Sequence, residues 1–278
     1  MGQALTEFKA KLAAKGAEAA GDERVSSSFI SLKSGVLSVN DEALPGNEML
    51  AVVLDSIHEN TYYGSDYDPD VILPPTCFSF GRTEKEMEPH ENVPHFDDDN
   101  ADTSFFKMQS EWCDECPMYE WGSADKGKGK ACGSKRRLAI IPAGNFIPAK
   151  GRGEAEMEVF EGPAEYSGSD IVMLKLPVTS VKNWSKYVHQ LNADHSMPPF
   201  AAITHIRVVP DAKTQFKVEF ELLEIIEDEE VLQVLMGRHE EAVSIIEDPY
   251  TEPEDDETPS ENKARSGIAN LRKSSRGA

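Results

Sequence analysis

The sequence predicts a mainly β protein of the α+β class, a small β-barrel that carries extra elements. Short apolar segments recur along the chain between turns rich in Gly, Pro and Asp. Amphipathic helices are few and do not alternate regularly with the strands, which argues against a doubly wound parallel sheet. Residues 76–136 have little hydrophobic periodicity, as expected for an inserted module that a metal ion organises in place of a core.

The chain is predicted to have three parts. Residues 1–24 form an N-terminal arm with a short helix, residues 25–246 form the core with the inserted module at 76–136, and residues 247–278 form a disordered tail, first acidic and then basic. Strands are predicted at 29–33, 36–39, 48–57, 137–142, 155–161, 170–176, 201–209 and 215–225.

One hairpin and two helices stand out. Turn residues at 210–213 join the last two strands and predict a hairpin. Ser180 is predicted to cap a helix whose inward face is Val181, Trp184, Val188 and Leu191. A final helix is predicted to start at Asp228, where acidic groups suit the positive helix N-terminus, and to end near Ile246. Its inward residues are predicted to be Val231, Leu235 and Val243.

The only four cysteines of the chain have the spacing C-x35-C-x2-C-x15-C: Cys77, Cys113, Cys116 and Cys132. Two cysteines two residues apart can turn both sulfurs toward one ion, and four thiolates suit tetrahedral zinc. The spacing therefore predicts a structural Zn²⁺ site, since four protein ligands leave no open position for a substrate. His90 or His95 is an alternative fourth ligand in place of Cys77, and an iron–sulfur cluster is an alternative cofactor.

A basic segment surrounds the last cysteine: Lys126, Lys128, Lys130, Lys135, Arg136 and Arg137. Aromatic residues flank it, with Tyr119 and Trp121 just before it and Tyr62 and Tyr63 further upstream. Proteins bind single-stranded nucleic acid by combining cations for the backbone with aromatic faces on which bases stack. We expect these residues to form a nucleic-acid-binding surface. The alternative is a solvated loop that balances nearby acidic groups.

The net charge of −22 is unusual for a nucleic-acid-binding protein, but the charges are segregated. Eight of the fifteen residues from Glu247 to Glu261 are acidic, whereas cations concentrate at 126–137 and 263–276. A polyanionic tail can compete with nucleic acid for a cationic groove and can dock partner enzymes, and both effects would depend on salt.

The sequence offers little support for catalysis. It contains no G-x-S-x-G, G-x-x-x-x-G-K-[ST] or H-E-x-x-H motif. The acidic run Asp97–Asp99 is the only support for a magnesium-dependent nuclease. No apolar run approaches the roughly 18 residues of a membrane span, and the N-terminus lacks the features of a signal peptide. We expect a cytoplasmic protein without a membrane partner.

The block CDECPMYEWGS…GKGKAC…RRLAII, which follows PPTCFSFG, resembles phage- and prophage-encoded proteins of the single-stranded-DNA-binding type over residues 74–141. Outside this block the architecture is similar to that of the T-even phage single-stranded-DNA-binding proteins, in which an OB-type barrel carries an inserted zinc element and an acidic C-terminal tail. The T-even pattern has a histidine among its metal ligands, whereas the matching positions here are the four cysteines. The tail here also continues into a basic stretch.

The resemblance implies an OB-like β-barrel, sequence-tolerant binding of single-stranded DNA, and a tail that contacts replication or recombination proteins. It would place the protein in the host-cell cytoplasm. We therefore expect a non-enzymatic DNA-binding protein that protects single strands during phage replication or recombination. The alternative is a zinc-bearing interaction module that acts on a polymerase or transcription complex, with its basic loop on an acidic protein surface.

Overall fold

The computed structural model describes residues 29–39, 42–64, 73–125, 127–147 and 156–253. The strands are β1 (Phe29–Ser31), β2 (Ser38–Val39), β3 (Glu42–Ala43), β4 (Glu48–Tyr62), β5 (Cys77–Gly81), β6 (Cys132–Pro142), β7 (Gly144–Ile147), β8 (Glu156–Val159), β9 (Val172–Leu176), β10 (Ala202–Asp211) and β11 (Gln215–Ile225). The α-helices are α1 (Pro163–Gly168), α2 (Val178–His195) and α3 (Glu229–Ile245). The prediction of a mainly β chain with few helices is confirmed.

The described chain divides into two compact units. Unit 1 contains the described residues up to Ser56 and those from Arg137 to Ile246, and unit 2 contains Ile57–Arg136 and the described residues from Glu247 onward. The predicted insertion at 76–136 thus supplies most of unit 2. Unit 2 begins at Ile57, which is earlier than the predicted start of the insertion at residue 76. Its first residues belong to β4, which continues to Tyr62, beyond the predicted strand end at residue 57.

The sheet of unit 1 follows the order β11-β10-β4-β6-β9-β1-β2-β3, and β5 pairs with the second half of β4 in unit 2. The predicted hairpin is confirmed: β10 and β11 pair antiparallel from Ala202 opposite Ile225 to Asp211 opposite Gln215. The Asp211 carboxylate closes its turn by accepting the backbone N–H groups of Lys213 and Thr214, each at 3.0 Å.

The core of unit 1 lies between this sheet and α2. Trp184 of α2 is buried as predicted, and its ring meets Phe220 of β11 edge-on with centroids 5.2 Å apart. Tyr187, which the sequence pattern did not single out, is buried beside it and hydrogen-bonds Thr204 of β10 at 2.7 Å. Burial of each large apolar side chain contributes about 1.5–3 kcal/mol, so this contact fixes the helix on the sheet.

The helix predictions are partly right. Asp228 caps α3 by accepting the Val231 N–H at 2.9 Å. The predicted Ser180 cap is wrong, because α2 begins at Val178 and the Ser180 hydroxyl instead accepts the Val218 N–H of β11 at 2.9 Å. Val243 is also not an inward residue. It is 41% exposed, and the adjacent Ala242 packs inward in its place.

The tail prediction is wrong for its first seven residues. Residues 247–253 are described and pack within unit 2. Tyr250 contacts Phe78 with ring centroids 5.0 Å apart and Phe80 with centroids 6.5 Å apart. The predicted arm at 1–24 and the remaining tail at 254–278 lie outside the described residues. Within the described ranges, no helix has the length and apolar character that crossing a bilayer requires.

Candidate metal centre and nucleic-acid-binding surface

Local structure brings the four cysteines of unit 2 to defined positions. Cys77 is the first residue of β5, and Cys132 is the first residue of β6. Cys113 and Cys116 lie at the two ends of a 3-10 turn that is closed by the Cys116 N–H donating to the Cys113 carbonyl at 3.3 Å. Pro117 then starts a second turn, which its fixed φ favours. The turn that holds Cys113 and Cys116 therefore forms from local chemistry alone.

All four cysteines line one small cavity of about 20 Å³, enough for a single small occupant. Neither His90 nor His95 lines it. The His90 ring instead stacks on Phe78 with centroids 5.1 Å apart. His95 lies 3.6 Å from the Glu111 carboxylate. The structure thus brings the four thiols together and leaves the two alternative histidine ligands with other partners.

The electrostatics of the cavity disfavour free thiolates. Burial, the largest cause, and the like charges of neighbouring cysteines together raise the pKa of Cys77 and of Cys132 to about 12. Burial also raises the pKa of Cys113. The hydrogen bond between its sulfur and the Ser79 hydroxyl, at 3.2 Å, acts in the opposite direction and lowers this pKa. At neutral pH these sulfurs stay protonated unless a cation compensates them. A bound metal ion supplies such a charge and deprotonates a coordinating thiol.

The donor set fits a zinc ion by its chemistry. Four sulfurs around one small cavity match the tetrahedral all-cysteine class of structural zinc site. Within the described ranges, no three His, Cys, Asp or Glu side chains already stand in an arrangement ready for a metal ion. Neutral thiols have no reason to converge to ligand geometry until a metal charge draws them in, so the cavity that the four cysteines share still supports a metal site.

Beside this cavity, two lysines lie over aromatic rings. The Lys130 ammonium is 3.3 Å from the centre of the Tyr119 ring and 5.9 Å from that of Trp121. The Lys135 ammonium is 5.6 Å from the centre of the Tyr63 ring. Cation–π contacts of this kind hold a long, mobile side chain in a defined place. Trp121 is 80% exposed and Tyr63 is 44% exposed, so both rings offer a face to a ligand.

Other predicted binding residues occupy different places. Lys128 is exposed, whereas Lys126 lies outside the described residues. Tyr62 is half-buried and forms a wall of the cysteine cavity. Arg136 is half-buried, and burial lowers its pKa. Tyr119 has Lys130 on one face and donates its hydroxyl to Glu84 at 3.2 Å, so it serves to position Lys130.

Arg137 does not belong to the exposed surface. It is only 1% exposed and belongs to unit 1, where its guanidinium donates to the Ile246 carbonyl at 3.0 Å, at the C-terminus of α3. An arginine in this position cannot reach an external phosphate. The prediction that it contacts nucleic acid is therefore wrong, and the residue satisfies a carbonyl that the helix end leaves without an intrahelical partner.

Ser123, which no sequence pattern indicated, organises the loop that runs from Tyr119 to Ala131, here called the aromatic loop. The Ser123 hydroxyl accepts the Ala131 N–H at 2.8 Å and lies 2.8 Å from the Glu120 carbonyl. Gly122 follows Trp121 with φ +91°, a conformation that glycine adopts at no steric cost, and its N–H donates to the Gly129 carbonyl at 2.9 Å. These contacts fold the loop back on itself and leave the Trp121 ring exposed. A Gly after an exposed aromatic residue is the one local signal that could have indicated this.

The acidic run Asp97–Asp99 does not look like a magnesium site. The Asp98 carboxylate accepts the His95 N–H at 2.7 Å, which closes a local turn. The nearby Lys107 ammonium donates to the carbonyls of Ala101 at 2.6 Å and Asp102 at 2.9 Å. The Lys107 ammonium thus already binds carbonyl oxygens beside the acidic run.

Unit 2 therefore carries two kinds of chemistry. Its buried thiols suit a soft or borderline divalent cation. Its exposed rings and lysines suit a polyanion with planar groups, which is the chemistry of single-stranded nucleic acid. No known protein family, curated protein or solved structure matches this chain.

Proposed function

We propose that this chain is a non-enzymatic, zinc-stabilised single-stranded-DNA-binding protein of phage or prophage origin, with an OB-like core. One observation carries the proposal: the 80% exposed Trp121 lies beside Lys130, whose ammonium is held over the Tyr119 ring. A ring open to stacking next to a fixed cation offers one contact for a base and one for the adjoining phosphate.

In this proposal the zinc ion is structural and would be held by Cys77, Cys113, Cys116 and Cys132. When bound, it would supply the positive charge that keeps the four sulfurs ionised, and it would tie the starts of β5 and β6 to the Cys113–Cys116 turn. The aromatic loop lies between Cys116 and Cys132. Fixing both of its ends restricts the positions of Trp121 and Lys130.

The DNA contacts are shared between rings and cations. Trp121 and Tyr63 would stack bases, each stack contributing about 1–3 kcal/mol. Lys128, Lys130 and Lys135 would contact phosphates. Three phosphate contacts correspond to a slope of about −2 in the logarithm of affinity against the logarithm of salt concentration, from about −0.7 per contact on single strands. Stacking and charge carry little sequence information, so we expect sequence-tolerant binding.

The acidic stretch 254–261 would act on this binding through charge. Its carboxylates compete with DNA for the lysines, which explains how a chain with a net charge of −22 can bind a polyanion. It would also dock replication or recombination proteins once DNA has displaced it.

The test is a fluorescence titration of the full chain with oligo-dT at several salt concentrations. We expect quenching of tryptophan emission, a slope near −2, and tighter binding by a chain that ends at residue 253. No binding at low salt by either chain would overturn the proposal. Capture of a polymerase subunit by a chain that does not bind DNA would favour the interaction-module alternative.

A further inference from the structure

Strand β11 is the outermost strand of the sheet, where β10 is its neighbour in the strand order. The outward N–H and C=O of Val218 are covered by two α2 side chains. The Ser180 hydroxyl accepts the N–H at 2.9 Å, and the Asn183 amide donates to the C=O at 2.8 Å. An uncovered strand edge can pair with another chain, and proteins protect such edges. This part of β11 is thus protected.

The protection does not continue along the strand. In an antiparallel pair, alternate residues direct both backbone groups outward, so the outward position of Val218 places Phe220 and Leu222 outward as well. No described residue bonds the outward groups of these two positions. Beyond Leu222 this alternation ends, because the register shifts at Leu223 of β11, which is skipped between the partners of Ile203 and Thr204.

The unprotected edge opens into a cleft of about 520 Å³ in unit 1. Tyr187, Gln190 and Leu191 of α2 form one wall, and Phe220 and Leu222 of β11 form the other. The volume falls within the usual range of about 300–1,000 Å³ for binding clefts. The cleft therefore combines a strand edge, which can pair with a backbone, and a lining of both apolar and polar side chains.

The edge is acidic. Between Glu219 and Glu230 the chain carries seven acidic residues and no Lys or Arg: Glu219, Glu221, Glu224, Glu227, Asp228, Glu229 and Glu230. Within the cleft, Arg207 is already paired with the Glu221 carboxylate at 3.2 Å. Lys186 is the other lysine or arginine of its lining, against the acids Asp194, Glu219 and Glu221. A basic, extended segment complements this edge.

We propose that the chain's own basic C-terminal segment, residues 263–276, binds along β11 at Phe220 and Leu222 as an added strand. The segment has five cations, no acidic residue, and the apolar Ile268 and Leu271. Added strands gain affinity from backbone hydrogen bonds and specificity from side-chain contacts. A tethered segment also acts at an effective concentration of about millimolar. This site lies in unit 1 and does not depend on the DNA-binding proposal.

The test compares amide hydrogen exchange at Phe220 and Leu222 in the full chain and in a chain that ends at residue 261. We expect at least about tenfold faster exchange in the shortened chain, since the added strand accepts these N–H groups. A synthetic peptide of residues 262–278, added at about millimolar concentration, should restore the slow exchange. In the full chain, Glu224→Lys should speed exchange at both amides, and Glu240→Lys on the exposed side of α3 should not.

A control peptide with Ile268→Pro and Leu271→Pro keeps every charge but lacks two backbone N–H groups. Successive N–H groups of a strand face opposite edges, and these two positions are an odd number of residues apart. One of the lost N–H groups would therefore face β11 in either register. We expect this peptide to fail. Equal exchange in the full and shortened chains, or equal restoration by the proline peptide, would overturn the proposal. Equal exchange would also leave the edge open to a different partner.

Discussion

The hydroxyl of Tyr250 donates a hydrogen bond to the carboxylate of Glu59, which is fully buried. The Tyr250 ring meanwhile packs on Phe78. The first residues of the predicted tail, 247–253, are therefore part of the structure of unit 2.

Removing this hydrogen bond should destabilise unit 2. Tyr250→Phe keeps the ring contacts but leaves a buried carboxylate with one donor fewer, and we expect a loss of about 1–3 kcal/mol in the free energy of unfolding. Urea denaturation measures it. A chain ending at residue 253 should keep wild-type stability, whereas one ending at 246 should lose more than Tyr250→Phe. Equal stability of the two truncated chains would contradict this role.

Metal analysis should separate the cysteines from the histidines. We expect one zinc ion per chain, and much weaker zinc retention in Cys77→Ser, because Cys77 lines the cavity with the other three thiols. His90→Ala and His95→Ala should retain the metal, since neither ring lines the cavity. If either histidine substitution lost zinc while Cys77→Ser retained it, that histidine and not Cys77 would be the fourth ligand. Visible absorption near 400 nm would instead indicate an iron–sulfur cluster.

Trp121 should contribute to DNA affinity without contributing to stability. Trp121→Ala is expected to weaken oligo-dT binding by about 1–3 kcal/mol, and Trp121→Phe by less, because a smaller ring still stacks. Both variants should unfold at the wild-type urea concentration, since the side chain is mostly exposed. The matched control is Trp184→Phe, which should reduce stability and leave the affinity of the folded protein unchanged.

Two cations from the same basic segment should behave in opposite ways. Lys130→Ala should weaken DNA binding and reduce the magnitude of the salt slope by about 0.7. Arg137→Met should leave the salt slope unchanged but destabilise the fold by about 1–3 kcal/mol, because it leaves the buried Ile246 carbonyl without this donor. A salt slope altered by Arg137→Met would show that the burial of this residue does not exclude it from DNA.

His58 should make unit 2 sensitive to acid. Burial lowers its pKa, and the nearby Arg136 lowers it further. A lowered pKa means that the folded state binds the proton less tightly than the unfolded state, so stability is lost as the pH falls below the unfolded value of about 6.5. Urea midpoints at pH 7.5 and 5.5 should therefore differ less in His58→Gln than in the wild type. An equal difference in both proteins would exclude His58 as the cause.

Local chemistry predicted much of this molecule. The turn at 210–213 predicted the β10–β11 hairpin, and Asp228 predicted the start of α3. The failures are long-range contacts. Nothing near Ser180 in sequence indicates that its hydroxyl bonds Val218, and nothing near Arg137 indicates that it binds Ile246. Such partners are chosen by tertiary packing, which sequence periodicity does not encode.

The contact between Tyr250 and Glu59 also has a consequence for synthesis on the ribosome. The two residues are separated by 191 positions, and most of unit 1 is translated between them. The N-terminal portion of unit 2 therefore leaves the ribosome long before its last packing partner exists. Contacts of such high sequence separation form slowly and expose apolar surface in the meantime. Until nearly all of the protein has been made, the nascent chain lacks the Tyr250 ring that covers one side of Phe78.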